Sequence, residues 1–166
     1  MLNRHLILNL LLVGLLMTSA SALAEFKVYR GDSSSWNNIV LTYKDGKVYR
    51  GDSTSWNNII LTYKDGKFYR GDSTSWNDIC YTFKEHKLYQ GDSTSWNNII
   101  LTYKDGKVYR GDSTSWNNIC LTYKDCKLYR GDSTSWNNII ITFSAEPSES
   151  FLLGFAFDFL RLECTK

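Results

Sequence analysis

The sequence predicts an all-β tandem-repeat protein: six two-strand, hairpin-like units stacked as an elongated β-solenoid-type array with a C-terminal cap. Three observations carry this expectation. A 20-residue unit, KVYRGDSTSWNNIILTYKDG, recurs six times from Lys27 to about Phe143. Its single tryptophan returns without a slip at Trp36, Trp56, Trp76, Trp96, Trp116 and Trp136. Within each copy two short runs of strand formers alternate with one tight turn and one polar loop. A closed β-trefoil-like arrangement is the alternative, since six hairpins fit that count.

Residues 1–24 read as a secretory signal. Arg4 and His5 give a short positive start, Leu6 to Met17 are apolar but for Asn9, and Ala22-Leu23-Ala24 fits a cleavage site. The apolar run is shorter than the roughly 20 residues that a spanning helix needs. The mature chain is therefore expected to be exported, either periplasmic or extracellular at the cell surface, with no transmembrane span after signal removal.

Residues 25–143 form the repeat domain. In the second copy, Lys47-Val48-Tyr49-Arg50 and Ile59-Ile60-Leu61-Thr62-Tyr63 are the strands. Lys64-Asp65-Gly66-Lys67 is the turn to the next copy, because both central residues of a type I′ turn need positive φ. Across that turn Tyr63 should face Phe68, and Thr62 should face Tyr69. One strand face then carries Ile59, Leu61, Tyr63 and Phe68 as core. The other carries Ile60, Thr62, Lys64 and Tyr69 as a half-exposed surface. Parallel stacking would set like charges about 4.8 Å apart, whereas hairpins double that spacing, so antiparallel hairpins are favoured.

Residues 144–166 break the period. Pro147 and Ser148-Glu149-Ser150 resemble a helix start, while Phe155, Phe157 and Phe159 alternate as in a strand. Both readings make this tail a cap over the last repeat.

Cysteine usage adds little chemistry. Cys80 and Cys120 replace Ile or Val and are expected to be small buried hydrophobes, too far apart to bridge. A Cys126–Cys164 disulfide would pin the tail to the last repeat. No Cys/His spacing for a metal, no cofactor motif and no catalytic constellation is present; His86 is the one histidine after the leader. The expectation is a protein that is not an enzyme. Of 19 basic residues Arg4 leaves with the leader, so 18 face 17 acidic ones, a balance that gives no footprint for nucleic acid.

Function rests on what repeats. The six tryptophans are expected to be the packed spine between units. Tyr29, Tyr49, Tyr69, Tyr89, Tyr109 and Tyr129 are the candidate ligand-binding face, with a glycan or cell-wall polymer as partner. Trp and Tyr at this period resemble the hairpin repeats of choline- and glucan-binding modules, which set aromatics around a sugar ring or a quaternary ammonium; their Gly-Trp pair is not found here. Two other readings stand beside it. One is a structural or self-assembling spacer. The other is adhesion through the Arg-Gly-Asp-Ser loops at Arg30, Arg50, Arg70, Arg110 and Arg130, which resemble the integrin-binding motif.

Overall fold

A computed structural model describes residues 25–159, with Phe159 described for its backbone only. The expected signal segment and Cys164 lie outside the described residues, and the Cys126–Cys164 pairing with them. Twelve antiparallel strands run in pairs: β1 (Phe26–Arg30), β2 (Ile39–Lys44), β3 (Lys47–Arg50), β4 (Ile59–Lys64), β5 (Lys67–Arg70), β6 (Ile79–Lys84), β7 (Lys87–Gln90), β8 (Ile99–Lys104), β9 (Lys107–Arg110), β10 (Ile119–Lys124), β11 (Lys127–Arg130) and β12 (Ile139–Phe143). One helix follows, α1 (Glu149–Phe159).

The hairpin register follows the turn chemistry. Tyr63 faces Phe68 and Thr62 faces Tyr69 across the Asp65-Gly66 turn. Both turn residues have positive φ, 51° and 76°. Glycine has a second advantage at its turn position, although His86 and Cys126 hold the same place in two copies with φ of 64° and 56°. A Cβ on Gly46 would lie 2.8 Å from the Tyr63 carbonyl oxygen of the next hairpin.

The array is not open. β1 pairs with β12, joining Val28 to Phe143, Tyr29 to Thr142 and Arg30 to Ile141, and closes a twelve-strand barrel. This overturns the elongated solenoid. It also differs from a trefoil, since all twelve strands share one wall. Twelve strands exceed what a twisted open sheet holds comfortably, and closure removes both edges. The seam copies an internal junction. Thr142 donates to the Gly31 carbonyl as Thr42 does to that of Gly51, each at 2.8 Å. Ser144 stands where the missing turn would be, its hydroxyl accepting from the Lys27 amide at 2.8 Å.

A bulge in each even strand modifies the expected faces. Ile59 pairs with Tyr49 on the outer face, and the extra residue Ile60 packs against the core instead. The inner wall thus holds Val48, Leu61, Phe68 and their equivalents, with Tyr63-type residues nearer the tight turns.

Helix α1 fills the lumen rather than capping an end. Its eleven residues span about 16 Å, matching strands of about 13–20 Å. From Ser150 to Ala156 every residue is buried. Phe151 packs edge-on against Phe26 at 4.8 Å between ring centroids, and Phe157 packs against Tyr81 at 5.4 Å on β6. The helix starts at the tight-turn mouth, where Glu149 meets His86 Nδ1 at 2.8 Å. It ends at the polar-loop mouth, where the Tyr81 hydroxyl donates to Asp158 at 3.1 Å. A closed wall offers no free edge for another strand, so the tail's alternating phenylalanines cannot pair. A helix satisfies its own backbone and suits an enclosure that is apolar on every side.

Candidate functional site

The polar loops all emerge at one mouth of the barrel and share one build. In the first loop, Gly31 takes a positive φ of 67° and its amide donates to the Ile140 carbonyl across the seam at 2.8 Å. Ser33 then organises the turn. Its hydroxyl accepts from the Ser35 amide at 3.2 Å and from the Asn38 side-chain amide at 2.8 Å. Residues 36–38 close a single 3-10 turn, with Asn38 donating to the Ser35 carbonyl at 2.9 Å. The Ser-to-Asn bond recurs in the second, fourth and sixth loops. In the third, Ser73 donates to Asp78 at 2.6 Å. Such local bonds fix the loop without burying it.

The tryptophan heading each 3-10 turn is therefore held on a rigid stem and left in solvent. The six side chains are 76–81% exposed, which corrects the expectation of a buried spine. The tyrosines do the reverse. Tyr49, Tyr69, Tyr89, Tyr109 and Tyr129 are 6–8% exposed and Tyr29 is half-buried, so the proposed binding face offers little ring to a ligand. The physical reason is the closed wall. Tyr49 and its buried partner Thr42 lie on the outer face, and that face is crossed by bonds to the loops. Thr42 holds the Gly51 carbonyl, while Lys47 reaches Asp72 of the next loop at 2.5 Å.

That Lys-to-Asp link recurs around the whole circle. Lys27 pairs with Asp52, Lys67 with Asp92, Lys87 with Asp112, Lys107 with Asp132, and Lys127 returns to Asp32 at 2.7 Å. Each aspartate raises the pKa of its lysine, chiefly through the hydrogen bond, at Lys27, Lys47, Lys67, Lys87 and Lys127. These charges stand at the solvent boundary and contribute modestly. They matter for geometry, because they tie each loop to a strand two places back along the wall, as Lys47 on β3 holds Asp72 after β5. The Arg-Gly-Asp segments thus have their aspartates paired and their glycines bonded into the wall.

The arginines of those segments sit differently. Arg50 is opposite Leu41, Arg70 opposite Leu61, Arg110 opposite Leu101 and Arg130 opposite Leu121, so all share the lumen-facing register at the strand ends. With Arg30 and with Gln90 opposite Tyr81 they form one exposed circle at the loop mouth. A shallow hollow beside Arg30 is lined by Asn37, Asn38, Ile39 and Val40. In the sequence these arginines stand out only as the first residues of the Arg-Gly-Asp-Ser loops. The signal that would have found them is parity: Arg50 is two residues from the core residue Val48 on the same face.

Cys80 is half-buried and Cys120 buried, both packed at the core. Among the described residues no group of His, Cys, Asp and Glu is arranged to hold a metal ion.

The architecture defines a class: a closed barrel of six hairpins, filled by its own helix, with a repeated aromatic rim at one mouth. The chain belongs to the 6-fold beta flower protein family, whose profile matches residues 28–152. No curated protein and no solved structure matches it.

Proposed function

We propose that this protein is a non-enzymatic glycan-binding module of the cell envelope, exported and multivalent, that engages its ligand through the tryptophan rim. The observation that carries the reading is the exposure of all six tryptophans, 76–81%, on closely similar hydrogen-bonded stems. Burying one such ring is worth roughly 1.5–3 kcal/mol, so six exposed rings forgo on the order of 10 kcal/mol of folding stability. That cost is accounted for if the rings bury themselves against a partner. An indole face suits the apolar face of a sugar ring, and the flanking Asn37 and Ser35 amides and hydroxyls suit its edge. Strand spacing sets the wall radius at about 9–12 Å, so neighbouring stems lie at least about 10 Å apart. A polymer spanning two or more stems gains by effective concentration.

A membrane-embedded role fits less well. The strands have four to six residues, against about 9–11 for a spanning strand. No helix among the described residues is long and apolar enough to cross a bilayer.

The test is acrylamide quenching of tryptophan emission on residues 25–166, titrated with cell-wall polysaccharides. Readily quenched emission that one polymer protects is expected. A rim that stays equally quenched with every polymer sinks the reading.

A further inference from the structure

Closure sorts the charges of the repeat to the two ends of the barrel. Six lysines and six aspartates cancel around the outer wall, from Lys27–Asp52 to Lys127–Asp32. At the tight-turn mouth five lysines meet five turn acids, with Glu25, Glu146 and Glu149 in addition, an excess of three negative charges. At the loop mouth five arginines face Asp78 and Asp158, an excess of three positive charges among the described residues. Among the described residues, whose charges sum to zero, one mouth is therefore acidic and the other basic. The basic mouth is the one that bears the tryptophans.

We infer that the arginine circle selects an anionic polysaccharide, one bearing carboxylate or sulfate groups, with the tryptophans holding its sugar rings. The inference rests on the glycan reading above and names its ligand class. Arginine suits this role, since its planar fork binds carboxylate and sulfate in pairs of parallel bonds and stays charged at every relevant pH. Position supports it as well. The arginines stand on the lumen side of the rim at strand ends, fixed in height by the wall, while the neutralised Lys–Asp pairs lie outside them. The circle has one break, at Gln90, and both carboxylates stand in that sector: Asp78 in the third loop, and Asp158 on the helix end, bonded to Tyr81 opposite Gln90. The ligand's charged groups therefore engage the remaining arc and avoid this sector. A single-stranded nucleic acid is the competing polyanion. It needs a continuous basic track, whereas here an interrupted arc of five arginines is interleaved with separate stems.

Calorimetric titration of residues 25–166 tests this with two matched pairs of polymers: polygalacturonate against its methyl ester, and dextran sulfate against dextran. Oligo-dT is a fifth ligand. Expected is tighter binding of one or both acidic members, weakening with salt. Arg50→Gln and Arg110→Gln each lower that affinity about three- to fivefold. Gln90 shows that the fold accepts this residue there. Gln90→Arg closes the circle and tightens binding by a similar factor. Equal binding within each pair, unmoved by these variants but lost on Trp56→Ala, overturns the arginine inference and leaves the rim reading intact. Binding of none of the four polysaccharides overturns both. Oligo-dT bound more tightly than either acidic polysaccharide also overturns the inference.

Discussion

Tyr123 shows how one position of a repeat meets six different surroundings. Its equivalents are Tyr43, Tyr63, Phe83, Tyr103 and Phe143, all lumen-facing near the tight turns. The Tyr123 hydroxyl is buried with no hydrogen-bond partner; the Cys126 thiol lies beside it without the geometry of a full bond. Burial first, then that thiol, push its pKa well above the ordinary tyrosine value. Tyr43 and Tyr103 are shifted the same way, again mainly by burial. The sign follows. Above about pH 10 the unfolded chain releases phenolic protons that the folded chain retains, so stability is full below that pH and falls as pH rises. Tyr123→Phe, a residue two copies already carry here, should leave the barrel as stable at pH 7 or up to about 1 kcal/mol more stable. It should also make the loss between pH 9 and 11 shallower. Urea midpoints across that range check both, and an unchanged slope would mean that Tyr123 ionises freely in the fold.

At the scale of elements, α1 and the wall fit each other in one sector. The third hairpin departs most from the repeat, with Tyr81 for leucine, Phe83 for tyrosine and Glu85-His86 for Asp-Gly. Those residues meet the helix: Tyr81 touches Phe157 and Asp158, and His86 touches Glu149. Phe68, where other copies have valine or leucine, presses on Gly154; a Cβ there would lie 2.5 Å from the Phe68 ring. Gly154→Ala should cost about 1–3 kcal/mol through overpacking, despite its gain in helix propensity. Phe68→Val, the residue at Val48 and Val108, should recover much of that loss in the double variant. Thermal unfolding of the two single variants and the pair reads this directly, and additive losses would separate the two sites. This fit was hardly legible in the sequence. Copy-to-copy variation at Phe68, Tyr81 and His86 looks like drift until a lumen with a helix in it is known. Hairpins and their register were legible, because Asp-Gly turns and strand parity act within a few residues. The exchange of roles between tyrosine and tryptophan was not. Both recur every 20 residues, and only the wall's outer covering and the bulge at Ile60 distinguish them.

For the whole molecule, closure separates this fold from an open repeat array. Every hairpin is local, but the seam joins Val28 to Phe143, and nothing in six near-identical copies marks where a ring begins or ends. The sequence therefore carries the unit and not the number that closes. In an open stack, stability is a sum of unit and neighbour terms, so removing one unit costs about its share. A ring must close again at a new size. Barrel width scales roughly with strand number, so ten strands shrink a radius of about 12 Å by about 2 Å. The lumen around α1 is already packed on opposite walls, Phe26 and Phe143 on one side and Phe68 and Tyr81 on the other. It has no such slack. Deleting residues 87–106 keeps an intact turn between His86 and Lys107 and removes one whole hairpin repeat. The expected result is failure to fold cooperatively, with the helix expelled and apolar lumen exposed to a dye such as ANS. Equilibrium urea unfolding beside the parent chain supplies the measurement. A five-unit protein that unfolds in one sharp transition, with about five-sixths of the parent's stability and no dye binding, would mean that neighbour contacts rather than the closed, helix-filled ring hold the fold together.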